Sequence, residues 1–402
     1  MRIAITGATG LLGRNLLFEI IKRNISRLDD LELLILSRSY ESSPLNDRIK
    51  NIFFDDGFDY IGIEENKRSM FFKRLMKSIV TIPFDLAKDD LSITSQDYKT
   101  LSTKRIDCLF HVAAMTDFRS DAVVKSALDR VNIKGTQKIL ELIKSINVKQ
   151  LVYVGSAYSC GSRVGVVNAD YINPDEIFRN PYEESKLKAE ILVRGFAKHN
   201  NIILKIFRPS TICGRLIEKP IGRVNKFDVF YAWAAFFLRL KIKQGISLDQ
   251  LYTHSIDMPI RLHFNPKGGL NIVPADYSAK LIYGVTFDND FSGSYHVANN
   301  KQTPNRLYGD TTFEVLNVRG YSYVLEEPLQ KSKIEEMYYR TVGKIFTPYG
   351  ISDEIVFNRE GINEYEQKSG LTCPFVDREN FLKLLDYAKS KYFGLVELAS
   401  RK

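Results

Sequence analysis

Ile3-Ala4-Ile5, then Thr6-Gly7-Ala8-Thr9-Gly10-Leu11-Leu12-Gly13, then Arg14-Asn15-Leu16-Leu17-Phe18-Glu19-Ile20-Ile21 open the chain. Apolar or small residues that suit a buried strand run into glycines spaced three apart, and apolar residues then recur at helical spacing. The order is strand, tight turn, helix. Gly7 supplies a turn that a side chain would obstruct, Gly10 lets backbone approach a pyrophosphate, and Gly13 lets the helix lie close on its strand. The helix N-terminus, with free N–H groups and the positive end of its dipole, then faces the phosphates. A glycine pattern alone is weak; in this strand-to-helix context it reads as a dinucleotide seat. Thr6, Gly7, Thr9, Gly10, Leu11, Leu12 and Gly13 are the residues expected around the cofactor.

Working outward, residues 31–36 read as a second strand ending in Ser37-Arg38-Ser39. An NAD seat normally has Asp or Glu here for the ribose hydroxyls. Arg38 instead offers a guanidinium suited to a 2′-phosphate, which favours NADP over NAD; the plain alternative is a surface arginine after a strand. Residues 40–78 form a polar connection with a helical middle that holds Arg48 and Phe53-Phe54. A third strand at 79–84 ends in Asp85-Leu86, placed to contact an adenine, and a fourth at 108–112 runs into Ala113-Ala114, small enough for close cofactor approach. His111 lies within that apolar strand and reads as a hydrogen-bonded core histidine rather than a catalytic one. A helix is expected from about Ser120 to Ser145.

The fifth strand, 151–154, opens into Gly155-Ser156-Ala157-Tyr158, and Tyr182-Glu183-Glu184-Ser185-Lys186 later leads into a helical pattern. Residues four apart share a helix face, so Tyr182 and Lys186 can point at one place. An ammonium near a phenol is expected to favour phenolate and lower its pKa, making the tyrosine a useful acid or base. Tyr387 and Lys391 repeat the spacing, but only the first pair follows a strand-end hydroxyl, Ser156, in the alternating half of the chain. A sixth strand at 203–207 continues into Arg208-Pro209-Ser210-Thr211-Ile212-Cys213-Gly214. The alternation predicts an α/β fold: a Rossmann-type doubly wound parallel sheet with helices on both faces.

After Gly214 the alternation breaks down. Residues 218–222 read as a loop and 229–240 as an aromatic-rich helix, suited to a core or to lining a pocket for an apolar chain. Residues 271–277 read as a late strand and turn, 293–298 as a strand returning to the sheet, and 332–344 and 378–391 as helices of a second body. The expected organisation is an NADP-binding domain over 1–215, completed by about 270–300, a substrate-binding insertion over 216–269, and a smaller, mostly helical substrate-binding region over 301–402.

The 402 residues, 44% hydrophobic and 26% charged, have a globular composition. The net charge of +9 is scattered among nearly as many acids, as on an ordinary solvated surface. That argues against nucleic acid as the partner and leaves room for one carrying phosphates or acidic side chains. Cys108, Cys160, Cys213 and Cys373 are far apart with no metal-ligand spacing, which points to reduced thiols, no metal and a cytoplasmic location. No apolar run is long enough for a transmembrane segment, and no secretory signal is expected.

With these residues assembled, the chain resembles an extended short-chain dehydrogenase/reductase of the branch that includes thioester reductase domains and fatty acyl-CoA reductases, over roughly residues 2–300. The resemblance rests on Thr6 to Gly13, on Arg38 and on four further segments. These are Asp90 to Asp97, His111-Val112-Ala113-Ala114-Met115-Thr116-Asp117-Phe118, Asn180-Pro181-Tyr182-Glu183-Glu184-Ser185-Lys186, and Arg208 to Gly214 with Glu218 to Gly222. It implies a Ser-Tyr-Lys site at Ser156, Tyr182 and Lys186, with Lys186 also on the nicotinamide ribose and the backbone at Pro209-Ser210 on the carboxamide. The implied reaction is NADPH-dependent reduction of an acyl thioester to aldehyde, or onward to alcohol, the acyl group arriving on coenzyme A or on a separate carrier protein. Gly155-Ser156 stands where the branch usually shows Ser-Thr. The alternatives are a sugar-nucleotide epimerase or dehydratase, or a hydroxysteroid-type dehydrogenase, of the same extended class. Dehydratases of that group carry an Asp-Glu pair where Ala157-Tyr158 stands, and a non-catalytic NADPH-binding regulator would have lost the triad.

Overall fold

The computed structural model describes residues 1–395, so the last seven residues of the expected 301–402 region lie outside the described residues. Seven strands build the central sheet: β1 (Arg2–Thr6), β2 (Glu32–Ser37), β3 (Ile79–Pro83), β4 (Cys108–His111), β5 (Gln150–Val154), β6 (Ile203–Pro209) and β7 (Gly293–Val297). Their order is β7-β6-β5-β4-β1-β2-β3, and every pairing is parallel. This is the doubly wound arrangement extended by one strand. All five residues of β1 are buried, as a strand covered by helices on both faces requires. Strand order reverses direction between β1 and β4, and the crevice beyond the carboxyl ends of those strands is where such sheets bind ligands.

Helix α1 (Leu11–Arg23) leaves the glycine turn and packs against a helix at Ala275–Phe287. The sequence pattern suggests only a strand and turn over 271–277. Ile272–Pro274 does form a short parallel ladder with Thr211–Cys213, but the chain then turns helical at Ala275. The helix is buried on nearly every side, so it shows no polar stripe to mark its period. Residues 40–78 likewise hold more helix than expected, at Leu45–Ile52, Phe58–Ile61 and Arg68–Leu75. The rings of Phe53 and Phe58 lie 5.8 Å apart there, and that of Phe72 is 6.1 Å from Phe53.

Helix α2 (Pro181–Asn200) starts under an N-cap from Asn180, whose side chain accepts the Glu183 N–H, with Pro181 in the first turn. Helix α3 (Phe230–Lys243) is the centre of a second, aromatic core: Trp233 and Phe237 stack edge-on against Phe313 at 5.0 and 4.8 Å. The helix expected over 332–344 is broken. Lys333–Arg340 ends at Thr341, whose backbone (φ −117°, ψ −100°) is not helical, and α4 (Val342–Gly350) begins beyond it. Among the described residues, no helix is long and apolar enough to cross a membrane, and no group of three or more His, Cys, Asp or Glu could hold a metal ion.

Candidate active site

One cavity of about 900 Å³ lies beyond the carboxyl ends of β1, β4 and β5 and extends to the aromatic core around α3. Gly7, Thr9, Gly10, Leu11, Leu12 and Gly13 line its first part. Gly7 has φ +74°, and a Cβ there would sit 2.7 Å from the Ala113 nitrogen; a Cβ on Gly13 would collide with the Gly7 carbonyl oxygen. Gly10 differs. A Cβ there would meet nothing nearer than the Gly7 carbonyl oxygen at 3.4 Å and would occupy the cavity instead. The turn therefore forms a cradle shaped for a ligand backbone, at the positive end of α1. Thr6 alone among the sequence-predicted residues does not reach the cavity. Its hydroxyl is spent inside, accepting the Val112 and Ala113 N–H groups at 3.2 Å each and meeting His111 Nδ1 at 2.9 Å. His111 also meets Thr136 at 3.2 Å, and burial holds its pKa down near 3, as for a neutral core histidine.

Arg38, Asp85, Leu86, Ala113 and Ala114 line the same part of the cavity. Arg38 is exposed, with its guanidinium 5.9 Å from the Tyr40 ring. Arg48 converges on the same spot, a role its place in the sequence does not suggest. Its guanidinium donates to the Thr9 hydroxyl at 3.0 Å and to the Arg38 carbonyl, and lies 5.5 Å from the Tyr40 ring. The two arginines are ten residues apart, joined by a loop and a helical turn, so no local spacing pairs them.

Ser156, Tyr182, Lys186, Pro209 and Ser210 line the cavity further in. Ser156 lies two residues beyond β5 and its Oγ accepts the Tyr158 N–H at 3.2 Å. Tyr182 and Lys186 sit one turn apart in α2. The Tyr182 ring packs edge-on against Phe118 at 5.2 Å, and burial pushes its pKa up to about 12 while the Thr116 hydroxyl pulls the other way. The expected lowering of this phenol by Lys186 is absent. Lys186 is buried, donates to the Val154 carbonyl at 2.7 Å and rests 4.8 Å from the Tyr153 ring, and burial brings its own pKa down to about 8. Tyr387, half of the second Tyr-Lys match, instead accepts a bond from Arg223 and lines no part of this cavity.

Asn132 is a residue that sequence reasoning missed. It lies in a π-helical stretch, Asp129–Lys134, that interrupts the helix expected from about Ser120 to Ser145. Its amide accepts the Met115 N–H at 2.8 Å, donates to the Met115 carbonyl at 3.0 Å and donates to Ser185 Oγ at 2.9 Å. It thereby ties the loop after β4 to α2 between Tyr182 and Lys186. Gly155 also has a structural cause: a Cβ there would stand 3.0 Å from Glu190 Oε2, which is held by Arg208 at 2.9 Å with both side chains fully buried.

Residues 5–282 match the family model described as Male sterility protein, an NAD-binding domain. The chain belongs to this family. It is a thioester-reductase-type member of the extended short-chain dehydrogenase/reductases, an oxidoreductase class built on an NAD(P)-binding domain. A linear gramicidin synthase polypeptide of Brevibacillus parabrevis is 22% identical over 95% of this chain and 7% of its own length. Probable fatty acyl-CoA reductase 5 of Arabidopsis thaliana is 26% identical over 41% of this chain and 32% of its own. The chain thus spans under a third of each of these two relatives. Among solved structures, the terminal R domain from the myxalamid PKS-NRPS biosynthetic pathway superposes with a TM-score of 0.71 at 20% identity, covering 98% of this chain and 91% of that one. A thiolation-reductase di-domain from an archaeal non-ribosomal peptide synthetase gives 0.63 at 18%, covering 98% and 76%. These likenesses show the shared fold. For a Male sterility family member, the Gly10 cradle fits a dinucleotide, since it leaves space for a pyrophosphate at the start of α1.

Proposed function

We propose that this chain reduces an acyl thioester, carried on coenzyme A or on a carrier protein, with NADPH, releasing the aldehyde. The observation that carries the reading is the convergence of Ser156, Tyr182 and Lys186 on the cavity that the glycine turn and Arg38 also line. Arg38 and Arg48 support NADPH over NADH, since two guanidiniums suit a 2′-phosphate dianion. We assign residues 1–215, completed by about 270–300, to the cofactor, and 216–269 and 301–402 to the substrate; in support, the helix at Ala275–Phe287 packs on α1 and Gly293–Val297 pairs with β6 at the sheet edge.

NADPH, when bound, supplies the hydride to the thioester carbonyl carbon. Negative charge then develops on the carbonyl oxygen, and the protein must answer it there. Ser156 Oγ accepts the Tyr158 N–H and lines the cavity, which leaves its own hydrogen free to be donated to that oxygen. Tyr182, with a pKa near 12, keeps its proton at neutral pH and is the acid that delivers it. Lys186 would hold the nicotinamide ribose, Pro209 and Ser210 would flank the carboxamide, and Asp85 and Leu86 would border the adenine. The tetrahedral product then collapses to aldehyde and thiol. Four unpaired cysteines support a reducing compartment, and we assign the reaction to the cytoplasm. The test is loss of NADPH absorbance with a panel of acyl-coenzyme A and carrier-bound thioesters, with aldehyde trapped as product. Turnover of a sugar nucleotide, and of no thioester, would overturn the reading.

A further inference from the structure

Beyond Tyr182 the cavity runs into the aromatic core, where Trp233, Phe264, Tyr308, Phe346 and Tyr349 line it. Trp233, Phe264 and Tyr308 form the floor: the Trp233 and Phe264 rings are 6.2 Å apart, the Phe264 and Tyr308 rings 6.0 Å, and all three residues are buried. Phe346 of α4 stands in the wall, half-buried, and Tyr349 from the same helix packs edge-on to Tyr158 at 5.6 Å.

What decides the chemistry of this arm is where its polar atoms are spent. Trp233 Nε1 donates to the Tyr338 hydroxyl at 3.1 Å, and the Tyr308 hydroxyl donates to Asn305 Oδ1 at 3.0 Å. The Tyr349 hydroxyl donates to Glu183 Oε1 at 2.7 Å and accepts from Asn180 Nδ2 at 2.7 Å. Each polar tip is bonded to protein, so the rings offer a ligand their faces and edges. Lys226 and Asp228 also line the cavity, but they are half-exposed and paired with each other at 2.5 Å. A charged group carried to the floor would lose its water and gain no partner. An aryl or branched-alkyl group would gain edge-to-face and dispersion contacts there.

We infer that the acyl group this enzyme takes is compact and uncharged, aryl or branched alkyl, seated on the Trp233–Phe264–Tyr308 floor with Phe346 setting its length. A free ammonium or carboxylate on the acyl group is refused. The inference rests on the thioester-reductase reading above and narrows its substrate.

The experiment uses the full chain with NADPH and pantetheine thioesters. One set carries benzoyl, phenylacetyl and isovaleryl groups; the other carries succinyl and β-alanyl groups. The expected kcat/KM for the first set exceeds that for the second by about 100-fold or more. Succinyl or β-alanyl thioesters turned over within about 10-fold of phenylacetyl would overturn the inference and leave the reaction assignment standing. Turnover of none of them by protein that binds NADPH would remove the reaction assignment, and this inference with it. Phe346→Ala should move the preference from phenylacetyl toward phenylbutyryl by about 10-fold or more with NADPH affinity unchanged. An unchanged ranking in Phe346→Ala would contradict the role given to this wall.

Discussion

Lys186 Nζ donates to the Val154 carbonyl oxygen at 2.7 Å, one helical turn from Tyr182. That bond joins the helix carrying the phenol to the strand that leads into Ser156. It also keeps the ammonium buried, which is why its pKa falls to about 8 rather than staying near that of a free lysine.

The pH dependence follows with a definite sign. A lysine with a lowered pKa loses its proton as pH rises through that value, whereas Tyr182, near 12, stays protonated across the same range. Reduction by the free enzyme should therefore fall as pH rises through about 8, read as kcat/KM against pH. A profile level through about pH 9 would contradict the charged role of Lys186.

The arginine pair makes a second prediction. Arg48 is anchored to Thr9 and Arg38 is exposed beside it, so Arg38→Ala and Arg48→Ala should each weaken NADPH binding by about 10- to 100-fold, the scale of a lost charge-assisted bond, and leave NADH binding unchanged. Titration by cofactor fluorescence checks it. Equal losses for the two cofactors would remove the argument for NADPH.

Two glycines of one turn should respond in opposite ways. Gly10 has φ −79°, which alanine adopts freely, and its Cβ would project into the cavity; Gly10→Ala should keep the melting temperature and lose at least about 10-fold in NADPH affinity. At Gly13 the Cβ would strike the Gly7 carbonyl oxygen, so Gly13→Ala should lower the melting temperature itself. Thermal melts with and without NADPH separate the two effects.

These predictions fall on residues that differ in how far the sequence revealed them. The β1–turn–α1 unit was legible because a glycine turn between a buried strand and a helix is a local pattern, and the sheet followed because its strands are short apolar runs between helical stretches. Tyr182 and Lys186 were legible for the same reason, since one helix turn fixes their relation. Thr6 looked like a cavity residue because it borders the turn, but its side chain faces β4. Arg48 and Asn132 act through partners distant in sequence, and nothing in their own neighbourhoods marks them. The π-helical stretch that places Asn132 has no periodicity of its own. The helix at Ala275–Phe287 escaped notice because burial on all sides removes the amphipathic stripe.

The central claim is Tyr182 as the proton donor within a cofactor cavity, and single-turnover reduction by Tyr182→Phe tests it most directly. Deleting one hydroxyl from a buried ring leaves the glycine turn and the arginines untouched, so NADPH should bind within about twofold of wild type while NADPH oxidation by an acyl thioester slows by about 100-fold or more. A Tyr182→Phe protein that binds NADPH and oxidises it at the wild-type rate would contradict the claim.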